Sequence, residues 1–374
     1  MTHEPTDHDE KRRRPSAWSD DPDRLSGEIA RAGSLADLAR AFGSVQEFAA
    51  RSAVHCLGRF SDGGDEVFAL GRLIADLRDK ILVRVHDLVL AGTGPPPAAF
   101  CLLALGSEGR KEQYLATDQD NALVYDDEEG DEAAIFFEVF AHRFVRMLLE
   151  LGVPPCPHGV MINAAQWRLS AADWERAVDD MTDEIDEQGI LKISVLLDMR
   201  PVAGDPEPGW KLRRHLLRRI VERPLILRYL AREAVRFSPP LGLFNNFVVQ
   251  KSGAHKGGLD VKKGGIFPLT QGIRTLAAEH GVLSTSTEER IAGLLEAGAL
   301  SAGFGARMRE AYAFFHVLRT GNQAEMIENR DKPDNFIMPD RLSAAERKRL
   351  KACFATVTEF QALVSKKYEL HLLT

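Results

Sequence analysis

Two aspartates, Asp118 and Asp120, stand one residue apart just downstream of the run Gly106-Ser107-Glu108-Gly109-Arg110. Read as a β-strand, that stretch puts both carboxylates on one face with Cα atoms roughly 6.5 Å apart, because strand side chains alternate with period two. Carboxylates so placed are hard oxygen ligands suited to a pair of divalent cations. A turn of glycine and serine upstream of them can bring backbone N–H groups and a hydroxyl onto phosphate, since glycine lets a backbone approach closely without strain. Arg110 adds a planar fork matched to phosphate oxygens. Taken singly, Gly-Ser is usually only a turn and Asp-x-Asp a solvated strand end. Here the order is specific: the apolar run 100–105, the small-residue turn, a polar connection, the aspartate pair and a second apolar run over 122–125.

The stretch 106–125, GSEGRKEQYLATDQDNALVY, resembles the signature of the polymerase-beta-type nucleotidyltransferase superfamily. More narrowly it is similar to nucleotidyltransferases related to the bacterial PII-protein uridylyltransferases, in which GS-x-GR-x-EQ and TDQDNA recur. Such proteins are often fused to CBS pairs or cyclic-nucleotide-binding domains, and the sequence shows no sign of either module. Downstream, LLDMRPVAGD over 196–205 resembles the family's later strand, a hydrophobic run ending in Asp-x-Arg and Gly-Asp. Segments 258–265, 287–290 and 318–319 resemble landmarks of its helical C-terminal substrate-binding domain.

The resemblance implies a metal-dependent transferase that moves a nucleoside monophosphate from an NTP to an acceptor and releases pyrophosphate. On that reading Asp118 and Asp120 ligate two Mg²⁺ (or Mn²⁺) ions, and Gly106, Ser107, Arg110 and Lys262 meet the phosphates. Asp198 is then the third carboxylate, a metal ligand or general base toward the acceptor. The alternatives are an ion pair of Asp198 with Arg200 or Arg168, and a flexible glycine-rich surface loop for Lys256, Lys262 and Lys263. By analogy with the uridylyltransferases the acceptor is a regulatory protein's hydroxyl, reached by uridylyl or adenylyl transfer. Two other classes stay open: a catalytically silent nucleotide-sensing or partner-binding protein, and a nucleic-acid end-modifying transferase. A carboxylate pair facing a polyanion weighs against the sensor. The net charge of −7 and the lack of an aromatic-basic RNA motif weigh against nucleic acid.

With 374 residues the chain exceeds what one core usually holds, and 44% hydrophobic with 28% charged residues is ordinary globular composition. Cys56, Cys101, Cys156 and Cys353 are dispersed and lack a C-x-x-C pair, so they read as reduced thiols of a cytoplasmic protein. No apolar stretch reaches the roughly 18 residues that would suggest a membrane span. No hydrophobic region follows the basic run at 11–14, which excludes a secretory signal. The expected class is α+β: a disordered tail over 1–24, an N-terminal helical segment over 25–94, a core with a small mixed β-sheet over 95–206, and a mainly helical C-terminal domain over 207–374.

Locally, apolar spacings of three and four predict helices over 25–90, and the Gly/Pro run at 92–97 ends them. Strands are expected over 99–105, 119–125 and 193–197, with a short helix inside 106–117 and an amphipathic helix over 133–151. The acidic cluster over 126–132 reads as a solvated loop and the first turn of that helix. Cys156 and His158 lack a second ligand pair at zinc spacing, so a proline-flanked loop is the better reading there. Trp167 and Trp174 read as packing residues, Asp205 as a turn former, and Ser34, Ser170 and Ser343 as helix caps. The arginines over 211–236 read as a solvated basic face, with a cleft-facing role as the alternative.

Overall fold

The computed structural model describes residues 21–57, 64–115, 118–126, 130–242 and 244–372. At its centre lies a four-stranded mixed sheet of order β3-β2-β1-β4. Strand β1 (Phe100–Ala104) pairs antiparallel with β2 (Asn121–Tyr125) and β4 (Arg200–Gly204), while β3 (Arg168–Ser170) runs parallel to β2. Every residue of β1 and β2 is buried, as expected of strands covered on both faces. The strand period divides them between two cores. Phe100, Leu102, Leu123 and Tyr125 pack with the N-terminal helices, whereas Cys101, Leu103, Ala122 and Val124 pack toward the C-terminal helices.

The N-terminal layer comprises α1 (Asp21–Arg31), α2 (Leu35–Leu57) and α3 (Asp65–Thr93). Residues 21–24 open a helix instead of ending a tail, with Asp21 and Asp23 in the first turn where the helix dipole favours them. The rest of that expected tail, and 127–129 of the acidic cluster, lie outside the described residues. Ser34 caps α2 by accepting from the Asp37 N–H at 3.2 Å. Gly94, at φ +105°, closes α3 by donating to the Leu90 carbonyl at 2.8 Å.

After β1 comes a short helical turn, α4 (Gly106–Gly109), and after β2 the helix α5 (Gly130–Glu150). Helices α6 (Ala171–Asp183) and α7 (Glu187–Leu196) precede β4. Helix α7 corrects the strand expected over 193–197. Asp186 accepts from the Gly189 N–H at 2.6 Å to start it, and Ile190, Ile193 and Leu196 then bury one helical stripe. A short apolar run fits either element, and the cap decides it here.

The C-terminal part holds α8 (Pro206–Glu222), α9 (Pro224–Ala234), α10 (Phe267–Glu279), α11 (Thr287–Glu296), α12 (Ala302–Glu328) and α13 (Ala344–Lys367), with a two-stranded ribbon of β5 (Leu259–Asp260) and β6 (Phe336–Ile337). A π-helical turn, Lys262–Ile266, leads into α10. Asp205 caps α8, and Ser343 with Glu346 forms a reciprocal capping box on α13. Several arginines of α8 and α9 are engaged within the fold. Arg213 is buried and donates to the Met199 and Leu283 carbonyls, Arg219 and Arg223 hold Asp183 of α6, and Arg228 binds the carbonyls of Tyr368 and Glu369. No helix among the described residues is long and apolar enough to cross a membrane.

Candidate active site

Regular strand geometry begins at Asn121, yet the extended pairing reaches further back. Leu105 donates to the Asp120 carbonyl at 2.9 Å, and Gln119 and Asn121 donate to the carbonyls of Pro154 and Val160, each at 3.1 Å. The alternation of side chains therefore holds: Gln119 is buried, while Asp118 and Asp120 are half-buried. The segment is also braced from the N-terminal layer. Arg78 of α3 donates to the Gln113 side chain at 2.8 Å, which donates in turn to the Asp118 carbonyl at 3.3 Å.

Gly106, at φ +52°, lies directly against Asp120, and a Cβ there would stand 2.6 Å from the carboxylate oxygen. Half-buried Ser107 follows it in the turn. Burial, and then the neighbouring Asp118 charge, push the Asp120 carboxyl up to about 6. Two like charges held together against repulsion form a site that a cation would relieve. Oxygen donors of this kind fit Mg²⁺ or Mn²⁺. Cys156 is the third group here: its sulfur and the two carboxylates all lie within 4.8 Å of one another. The sequence had set Cys156 aside for want of a ligand pair, because its partners come from another loop.

Asp198 stands elsewhere. It follows α7, is fully buried, and accepts from Arg110 at 2.6 Å and Arg290 at 2.7 Å, with Arg274 as a third guanidinium partner. Burial would raise its pKa, but Arg274, Arg110 and Arg290 overcome that and hold it well below the usual carboxylate range. Both oxygens are thus occupied by guanidinium groups, and Asp198 does not join the Asp118–Asp120 group. Its expected partner Arg200 instead makes a two-pronged pair with Asp79 of α3 at 2.8 Å, and Arg168 donates to the Ile162 carbonyl.

Arg110 is committed to the same network. It donates to Glu112 at 2.6 Å as well as to Asp198, and Glu112 accepts from the Thr287 N–H at 2.6 Å and the Tyr312 hydroxyl at 2.7 Å. The Arg and Glu of GR-x-EQ therefore fasten the turn to α11 and α12. Of the phosphate-binding candidates, Gly106 adjoins Asp120 and Ser107 follows it in the turn, while Arg110 reaches Asp120 only through its charge.

Two cations approach from the C-terminal part. Lys262, exposed on the π-helical turn, and Arg319 of α12 both feel the charge of Asp118. Arg319 donates its Nε to Asn335 at 2.7 Å, and neither cation has a carboxylate ion pair among the described residues. His316 lies one turn before Arg319, buried between the rings of Tyr114 and Tyr312 with centroids at 4.9 and 4.6 Å. Arg319 belonged to a family landmark but carried no expected role, and His316 gave no signal in the sequence.

Two family models match the chain: "Putative nucleotidyltransferase DUF294" over residues 51–188 and "Putative nucleotidyltransferase substrate binding domain" over 224–368. The chain belongs to this nucleotidyltransferase family. No curated protein matches it at a significant level. The nucleotidyltransferase match contains Gly106, Ser107, Asp118, Asp120 and Cys156, and the substrate-binding match contains Lys262, Arg274, Arg290, Tyr312 and Arg319. Asp198 lies between the matches and is the buried counter-charge that ties them together.

Gly109 shows how tightly that junction is built. A Cβ at this position would stand 2.0 Å from the Asp198 carbonyl oxygen and 2.8 Å from that of Ala104, both backbone atoms unable to swing aside. Gly109→Ala is therefore expected to cost at least the upper end of about 1–3 kcal/mol typical of overpacking. Equilibrium denaturation measures it, and a midpoint equal to wild type would refute the close approach.

Proposed function

We propose that the protein transfers a nucleoside monophosphate from an NTP to an acceptor, with release of pyrophosphate, using divalent cations held by Asp118 and Asp120. The observation that supports this reading is the pair of half-buried carboxylates, Asp120 packed on Gly106, with the charge of Asp118 felt by two cations that lack a carboxylate ion pair among the described residues. When bound, the cations would neutralise the polyphosphate and align it with the attacking hydroxyl.

The chain's own groups divide the remaining work. Gly106 lets the turn backbone approach a phosphate, and Ser107 offers its hydroxyl. Lys262 and Arg319 are disposed to meet the phosphate oxygens from the substrate-binding side, Arg319 with a planar fork and Lys262 as a point charge. Arg110 holds the turn in place through Glu112 and Asp198. Asp198 is not disposed to take the acceptor's proton, because guanidinium groups occupy both of its oxygens. By analogy with the uridylyltransferases, the acceptor is a hydroxyl on a regulatory protein.

Incubation with each labelled NTP, Mg²⁺ or Mn²⁺ and host lysate tests the reading. Label is expected on a protein band, together with released pyrophosphate. Tight nucleotide binding without transfer to protein, RNA or small molecule would favour a silent sensor, and label on RNA ends would favour nucleic-acid modification. Within the active enzyme, Arg319→Ala and Lys262→Ala are each expected to raise KM for the NTP about 10-fold or more, the worth of one charged hydrogen bond. Steady-state kinetics checks this, and an unchanged KM in both variants would remove them from the phosphate site.

A further inference from the structure

We propose that Cys156 is a metal ligand, so that Asp118, Asp120 and Cys156 form one site for a thiophilic divalent cation such as Zn²⁺ or Co²⁺. This rests on the reading of the aspartate pair as a cation site and goes beyond it, since Asp-x-Asp alone is an oxygen site suited to Mg²⁺. A thiolate changes the selectivity of the site.

The geometry comes from two loops pinned together. The proline-flanked loop that carries Cys156 accepts backbone hydrogen bonds from Gln119 at Pro154 and from Asn121 at Val160, each at 3.1 Å, and a side-chain bond from Gln119 at Val153, also 3.1 Å. These residues alternate with Asp118 and Asp120, so the pairing that orients the aspartates also sets the sulfur beside them. The three donors lie within 4.8 Å of one another. A tetrahedral cation about 2.1 Å from oxygen and about 2.3 Å from sulfur holds its donors roughly 3.4–3.6 Å apart, so ligation draws the three groups together by no more than about 1.2 Å, through side-chain rotation.

The surroundings of the sulfur also suit a ligand. Cys156 is buried, and its Sγ accepts from the His158 N–H at 3.4 Å. Backbone donors of this kind stabilise negative charge on a metal-bound sulfur and fix its orientation. On its other side the sulfur adjoins Asp120. Ligation forms a metal–sulfur bond and breaks the S–H bond, with the proton released to solvent. The other buried cysteines, Cys101 and Cys353, are not part of the group.

Cobalt is the probe. Titration of the metal-free full-length protein with Co²⁺ is expected to give a near-ultraviolet sulfur-to-cobalt charge-transfer band that saturates at one ion per chain. The band should vanish in Cys156→Ser, while Co²⁺ still binds the aspartates about 10-fold or more weakly by calorimetry. It should also be lost in Asp120→Asn, which leaves every cysteine in place and serves if Cys156→Ser fails to fold. Saturable Co²⁺ binding without the band, or a band that persists in Cys156→Ser, would overturn the assignment. Mg²⁺-dependent transfer without a cobalt–sulfur band defeats the Cys156 proposal alone, whereas the band without transfer from any NTP defeats the enzymatic reading alone.

Discussion

Asp120→Asn is expected to be inactive in NMP transfer and, in metal-free buffer at pH 7, more stable than wild type. Its carboxylate is held beside Asp118 in a half-buried turn, at a cost that burial and like charge impose together. A displacement from 3.8 to about 6 corresponds to roughly 1–3 kcal/mol at neutral pH once partial solvent exposure is allowed for. An amide of the same shape removes the charge and most of that cost. Activity moves the other way. Loss of a group that holds the transition-state charge costs about 10²–10³ in kcat, and a carboxylate proposed to hold the cations would belong at or above the upper end of that range. Pyrophosphate release and thermal unfolding, with chelator and with Mg²⁺, measure both effects. Added Mg²⁺ should raise the wild-type midpoint and leave that of the variant nearly unmoved. A variant that loses activity and stability together would show that Asp120 supports the fold rather than the cation.

The aspartate pair was legible in the sequence because its chemistry is local. Two carboxylates at period two, a glycine turn and flanking apolar strands are all encoded within twenty-odd consecutive residues, and the structure keeps that arrangement even though formal strand geometry starts at Asn121. The surroundings of Cys156 and Asp198 were not legible for a common reason: their neighbours come from residues far away in the chain. Asp198 sits on a helix end that a short apolar run could not distinguish from a strand, and its partners Arg110, Arg274 and Arg290 come from three separate segments. The sequence offered Arg168 and Arg200 as nearer partners, but each is taken up elsewhere. Glu112 was visible only as a motif letter, and its bonds to Thr287 and Tyr312 exist only once the substrate-binding domain is docked.

Asp198→Asn is expected to destabilise the whole chain, by about 3–5 kcal/mol, the usual effect of removing one partner from a buried ion network. The reason is charge balance. Arg110, Arg274 and Arg290 converge on this carboxylate, and with Asp198 neutral they would face one another in the interior with only Glu112 paired to Arg110. Exposed ion pairs weaken in salt, but this one is buried, so the loss should persist at high ionic strength. The pH dependence has a definite sign. The folded protein holds Asp198 well below the 3.8 of a free aspartate, so its contribution is complete above that value and is lost as pH falls below it. The stability gap between wild type and Asp198→Asn should therefore be flat from neutral pH down to about 5 and narrow below about 4. Denaturant unfolding across that range decides the matter. A variant with wild-type stability but no metal-dependent transfer would return Asp198 to the role of third metal ligand, whereas a large loss of stability places it as the charge that joins the two domains around the active site.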